Sequence, residues 1–190
     1  MNALEAALVD LVSFLSERRL SYMVIGGFAS LQWGQPRLTE VLDVTILLPE
    51  EAWPGFLDQV ARRFQVLSAS PLEFARETRV IPILTPTEVR VDLILAGLPY
   101  EEEAIKRAVD VAAGGTTVRI CTAEDLILHK LVSERPRDAE DVEGVVARQG
   151  KALDRSYLDV RVEQLARALE RPALADFYRS CWRKAGLPER

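Results

Sequence analysis

Asp43 and Asp92 are the residues of this 190-residue chain whose surroundings most need a chemical explanation. Asp43 lies within Val41–Leu48 (VLDVTILL), and Asp92 within Val89–Gly97 (VRVDLILAG). An ionised carboxylate among apolar side chains costs several kcal/mol unless a cation or an ion pair compensates it. Two acids on neighbouring strands can share one Mg²⁺, which takes oxygen ligands and bridges to substrate phosphates. The alternative is that each acid pairs with an arginine (Arg37, Arg79 and Arg90 are near in sequence) or faces solvent at a strand end. A second feature is the double glycine in Val24-Ile25-Gly26-Gly27-Phe28-Ala29-Ser30. A strand that ends there and turns into a helix presents free backbone N–H groups and a helix dipole to an anion such as phosphate. A tight turn that needs positive φ and binds nothing has the same spelling. The third feature is KLVSERPRDAEDVEGVV, residues 130–146. Lys130 and Glu134 share one helix face, and Asp138 and Asp141 share another beyond Pro136. A lysine so placed can neutralise a triphosphate, and an acid beside it can act as general base. A surface helix pair laced with salt bridges has the same spacing.

Composition narrows the classes. Hydrophobic residues make up 48% and charged residues 28%, enough apolar material for a core without staples. Lys and Arg number 24 against 29 Asp and Glu, a net charge of -5, opposite in sign to a domain that grips nucleic acid nonspecifically. Cys121 and Cys181 stand 60 residues apart with no Cys or His at metal-ligand spacing, which excludes a Cys/His zinc site. The single His129 reads as an ordinary helix residue, and the tryptophans as core. No apolar run approaches the roughly 20 residues that span a bilayer, so no membrane partner is expected. The first twenty residues carry acids and no basic leader, so they do not read as a signal peptide, and a cytoplasmic location is expected.

The elements that must position these residues follow from periodicity. The spacing predicts helices over 2–18, 28–33, 50–64 and 99–113 and strands over Tyr22–Ile25, Val41–Leu48, Arg79–Leu84, Glu88–Leu95 and Thr116–Cys121. Pro82 cannot donate to a ladder, which predicts an edge position for its strand. Thr122, three residues before Asp125, predicts a helix start, and further helices are expected over 138–149, 156–169 and 172–185. The expected fold class is α/β: a small mixed, twisted sheet flanked by helices over residues 1–121, and a helical C-terminal region over 122–190 packing on it. Residues 1–150 hold 15 basic and 23 acidic side chains, and residues 151–190 hold 9 and 6.

GGFASLQWGQPRLTEVLDVTILLP, residues 26–49, resembles the nucleotidyltransferase signature of the DNA-polymerase-beta-like superfamily. In that signature a glycine pair opens a helix and a later strand carries Asp-x-Asp. Asp92 falls where the family places a third carboxylate. Residues 122–146, with Lys130, Leu131, Arg135, Arg137, Asp138 and Asp141, look like the downstream motifs of the AbiEii-type abortive-infection toxin branch. The resemblance implies a nucleotidyltransferase-like fold and Mg²⁺-dependent transfer of a nucleoside monophosphate from a nucleoside triphosphate to a hydroxyl on protein or RNA. It further implies a toxin–antitoxin component with an antitoxin partner. Gly26 and Gly27 would then hold phosphates, with Arg37 as a further phosphate ligand. Asp43 and Asp92 would coordinate Mg²⁺, and Asp92 would also activate the attacking hydroxyl. Lys130 would counter the triphosphate charge, and Asp138 or Asp141 would orient the lysine or assist as base. One departure stands against these matches. The pattern T-x-D-h-D reads Thr39-Glu40-Val41-Leu42-Asp43 here, so Val41 occupies the first acid position. Glu40 points to the opposite face and cannot substitute without a bulge. Too few carboxylates remain for two ions about 4 Å apart. The alternative reading is therefore a catalytically degenerate transferase fold that acts as a nucleotide- or protein-binding regulatory module.

Overall fold

The structure is a computed structural model that describes residues 2–35, 39–133 and 135–188. In chain order its elements are α1 (Ala3–Glu17), β1 (Tyr22–Ile25), α2 (Gly26–Trp33), β2 (Val41–Ile46), α3 (Trp53–Ala61), β3 (Gln65–Val66), α4 (Pro71–Thr78), β4 (Val80–Leu84), β5 (Arg90–Leu95), α5 (Pro99–Arg107), β6 (Val109–Ala113), β7 (Thr116–Ile120), α6 (Ala123–Val132), α7 (Pro136–Gln149), α8 (Arg155–Ala168) and α9 (Pro172–Lys184). They fall into two compact units, one of residues 1–28 and 38–121 and one of residues 29–37 and 122–190. Residues 29–37, which the sequence places with the sheet, group with the C-terminal helices.

The first unit is a mixed seven-stranded sheet in the order β3-β4-β5-β2-β1-β7-β6. The central pair, β2 and β5, runs parallel; β1 is antiparallel to β2 and parallel to β7. Alternation sorts the side chains of the central strands. Leu42, Val44, Ile46, Val91, Leu93 and Leu95 are buried on one face, while Val41, Asp43, Thr45, Arg90, Asp92 and Ile94 share the other. Helix α1 starts at a capping box: the Asn2 side chain accepts from the Glu5 amide and the Glu5 carboxylate accepts from the Asn2 amide. Its apolar stripe includes Phe14, whose ring meets Phe64 edge-on at 5.2 Å and Phe56 of α3 at 6.0 Å.

Three expectations need correction. The segment 99–113 is not one helix, because α5 stops at Arg107 and Val109–Ala113 forms β6. The β-branched VDVAA pairs antiparallel with β7, and Gly114 and Gly115, with φ of +59° and +80°, make the two-residue hairpin turn. Two positive φ values in succession match the right-handed strand twist and favour glycine. The Pro82 strand is not outermost, since the two-residue β3 lies beyond β4 and the Leu67 amide donates to the Pro82 carbonyl. Proline keeps its carbonyl, which suffices there. β3 and α4 were not expected; a two-residue strand has no readable period, and α4 (PLEFARET) is mostly polar.

The second unit is helical in its described residues. Helix α6 begins at Thr122, whose Oγ1 accepts from the Asp125 amide at 3.1 Å. Tyr157 on α8 donates to Asp125 Oδ1 at 2.7 Å, and Tyr178 on α9 donates to Asp159 Oδ1 at 2.9 Å. No described helix is long and apolar enough to cross a membrane.

The hairpin gives a graded test. A Cβ at Gly115 meets nothing within 4 Å, whereas one at Gly114 lies 3.0 Å from Val9 Cγ2 and 3.2 Å from the Glu5 carbonyl. Urea unfolding should show Gly115→Ala costing about 1 kcal/mol from backbone strain alone and Gly114→Ala costing more, about 2 kcal/mol. Equal or reversed costs would contradict this turn.

Candidate functional site

Parallel pairing sets the site. Asp43 and Asp92 are register partners on β2 and β5, and Ile25, the last residue of β1, is the partner of Asp43 on its other side. Neighbouring strands lie about 4.8 Å apart, so the two carboxylates occupy one face as immediate neighbours. The chain leaves β1 at Gly26, where α2 begins. Gly26 has φ of +64°, and a Cβ built on it would fall 1.9 Å from Asp43 Oδ2 and 2.7 Å from Asp43 Cγ. No residue but glycine leaves this carboxylate its place. The result is an Asp43 carboxylate set against the first residue of a helix, where the dipole favours negative charge. The sequence expectation started this helix at Phe28; the structure starts it at the first glycine.

Val41 is the register partner of Arg90, two residues toward the strand starts from the aspartate pair. The Arg90 guanidinium binds Asp92 in a fork, Nε to Oδ1 at 3.0 Å and Nη2 to Oδ2 at 3.3 Å. The arginine alternative weighed from the sequence is thus what the structure shows for Asp92. Arg79, named with it, goes elsewhere: its guanidinium donates to the Leu95 and Ala96 carbonyls and lies over Trp53, 5.7 Å from the ring centre. Glu40 is exposed, and Leu42 is buried on the opposite face. Arg37 lies outside the described residues.

These donors can be compared with the Mg²⁺ that the fold family implies. Among the described residues no three His, Cys, Asp or Glu side chains converge as metal ligands. Val41 offers no oxygen, and one of the two carboxylates is already held by a guanidinium. A pair of divalent ions needs more carboxylate than this. The residues present do not fit such a pair.

Lys130, Asp138 and Asp141 form a cluster inside the second unit. The Lys130 ammonium on α6 pairs with Asp138 Oδ1 and, at 2.8 Å, with Asp141 Oδ2, both on α7. Arg135 Nε meets the other Asp138 oxygen at 2.7 Å. Lys130, Asp138 and Asp141 are 7%, 3% and 9% exposed, so this is a buried network rather than a solvated face. Burial raises the Asp138 pKa, but hydrogen bonds from Lys130 and Ser133, the Lys130 charge and Arg135 outweigh it and hold the carboxyl below its ordinary range. Glu134, which the sequence places on the Lys130 face, lies outside the described residues.

The feature the sequence left unread is the Val41–Arg90 pairing. Arg90 was visible only as one of three nearby arginines. Its partner becomes known only when the register of β2 against β5 is known, and the signal available was the i, i+2 spacing of Arg90 and Asp92 on a strand.

Comparison with known proteins supplies the context. A crystal structure of an antigenic nucleotidyltransferase-like protein from Paracoccidioides brasiliensis superposes with a TM-score of 0.56 at 15% identity, covering 93% of this chain and 92% of that one. A crystal structure of ANT(2")-Ia in complex with adenylyl-2"-tobramycin gives 0.57 at 17% identity, covering 88% and 99%. The lincomycin-bound lincosamide antibiotic adenylyltransferase LnuA gives 0.51 at 10% identity, covering 74% and 95%. At these identities the likeness is one of fold. No curated protein matches the sequence. The family described as "Nucleotidyl transferase of unknown function (DUF2204)" matches residues 4–172, and with nearly the whole chain inside that match, the protein belongs to this nucleotidyl transferase family.

Proposed function

We propose that the chain binds a nucleoside triphosphate at the Gly26, Asp43 and Asp92 end of the sheet and transfers its nucleoside monophosphate to a hydroxyl. The observation that carries this is the in-register Asp43–Asp92 pair beside a glycine whose missing Cβ leaves the Asp43 carboxylate its space. The start of α2, with Gly26 and Gly27, supplies backbone donors for the phosphates. Asp92 accepts the proton of the attacking hydroxyl. The oxygen of that hydroxyl forms a bond to the α-phosphorus, the bond from the α-phosphorus to the α–β bridging oxygen breaks, and pyrophosphate leaves with the electron pair. Asp43, held against Gly26, fixes the other edge of the site.

The acceptor in this proposal is a protein or RNA hydroxyl, and the net charge of -5 favours protein over a polyanion. The adenylylated antibiotic in one similar structure supports a hydroxyl as acceptor. A toxin–antitoxin setting, with an antitoxin as partner, stays with the resemblance of residues 122–146 and adds nothing to the chemistry. For Lys130, Asp138 and Asp141, the observed ion pairs support a latch between α6 and α7. A second reading, a degenerate fold that binds nucleotide without turning it over, is favoured by Val41 and by the Arg90 fork on Asp92.

Pyrophosphate release from ATP, GTP, CTP and UTP, with bulk RNA or casein as hydroxyl donor, tests the proposal. One nucleotide should be turned over, and Asp43→Asn and Asp92→Asn should each lower the rate at least about 100-fold. Rates unchanged in both variants would overturn the site. A nucleotide that binds without turnover would establish the second reading.

The latch has its own test. A carboxyl whose folded pKa is depressed contributes stability above its unfolded pKa and loses it as pH falls through the folded value. Stability should therefore fall as pH drops below about 4, the ordinary carboxylate range, and Asp138→Asn should flatten that fall. At neutral pH the same variant should cost roughly 1–3 kcal/mol, since Asp141 still pairs with Lys130. A neutral Asp138→Asn would refute the latch.

A further inference from the structure

Four side chains share one face at the start of the central strands: Val41 and Asp43 on β2, Arg90 and Asp92 on β5. Where the family resemblance expects an acid, the chain has an isopropyl group, and directly beside it a guanidinium. Val41 and Arg90 are register partners, so a guanidinium stands beside the spot where the resemblance expects a carboxylate.

The Arg90 fork is built for more than its partner. A guanidinium has five N–H donors, and Asp92 takes those of Nε and Nη2. The Arg90 side chain is 53% exposed against 22% for Asp92, so the guanidinium is the more open of the two to solvent. Ion pairs this exposed contribute little to stability, so the fold does not depend on the pairing. What the pairing does is fix the orientation of a planar cation whose geometry matches phosphate oxygens. Val41 suits that use. An acid there would pair with Arg90 or repel a phosphate approaching it; an apolar residue does neither.

We infer that Arg90 is the phosphate-binding cation of this site, a tethered positive charge that stands where the family would hold a metal ion and that closes Asp92 to cations. Asp92 positions it, Val41 leaves it accessible, and Gly26 and Gly27 bind from the neighbouring strand end. The inference rests on the nucleotide-binding reading above. It goes further in predicting that nucleoside triphosphates bind without divalent metal.

The test is calorimetry with ATP, GTP, CTP and UTP in EDTA and in Mg²⁺, together with Mn²⁺ titration of the nucleotide-free protein followed by electron paramagnetic resonance. The wild type should bind one of the four in EDTA. Arg90→Ala should weaken that binding roughly ten- to a hundredfold, the scale of a lost charge-assisted pair of hydrogen bonds, and Arg90→Lys should restore only part of it. The same Arg90→Ala should tighten Mn²⁺ binding about threefold or more, because Asp92 is released and a neighbouring positive charge is gone. Changes of opposite sign from one substitution cannot come from general damage to the fold, and Arg90→Gln should reproduce both. Nucleotide binding that requires Mg²⁺ and is indifferent to Arg90→Ala would overturn the inference and leave the nucleotide reading standing. No binding of any of the four nucleotides, with or without Mg²⁺, would overturn both.

Discussion

The parallel register of β2 against β5 is the constraint on which the site depends. Strand side chains alternate, so a slip of one residue would turn Asp43 or Asp92 into the apolar face occupied by Leu42, Val44, Val91 and Leu93. The cost of burying a carboxylate there specifies the register as firmly as the burial of the leucines does. This alignment gives the adjacent carboxylates and Val41 opposite Arg90, and the antiparallel pairing of β1 with β2 brings the Ile25–Gly26 strand end beside Asp43. Gly26 then closes the arrangement, because its missing Cβ is the space the Asp43 carboxylate fills.

Charge at this end of the sheet differs from what an acid-rich metal centre needs. Repulsion between carboxylates is what a pair of divalent ions relieves, and a site with fewer acids has less to relieve. Here one acid is absent and another is paired with an arginine two residues away on its own strand. The second unit shows the opposite solution to the same electrostatics. Its lysine is buried and neutralised on the spot by two aspartates, which suits holding helices together rather than meeting solvent.

Much of this was legible in the sequence, for identifiable reasons. Short apolar runs stopped by Gly-Gly or Pro gave β1 within its observed bounds and placed the core of β2 and β5, since β-branched residues and chain breakers act locally. The Thr122 cap of α6 was readable because it is a contact between residues three apart. The hairpin at Gly114-Gly115 was misread as a helix end: a glycine pair ends a helix as readily as it turns a strand, and the choice was made by β6 pairing with β7. β3 was invisible because two residues carry no period. The partners of the site residues were legible only in part. Arg90 and Asp92 stand two apart on one strand, but whether Asp43 falls beside Asp92 and Val41 beside Arg90 depends on register, which no single strand contains.

The most direct measurement is a crystal structure of the protein with an ATP analogue whose α–β bridging oxygen is replaced by a methylene group, grown in EDTA. The account predicts the triphosphate against the backbone of Gly26 and Gly27, with a phosphate oxygen on the Arg90 guanidinium and Asp92 retained as its partner. A nucleotide bound elsewhere would contradict it. One such place is the cavity of about 430 Å³ lined by Arg135, Arg171 and Phe177 in the second unit.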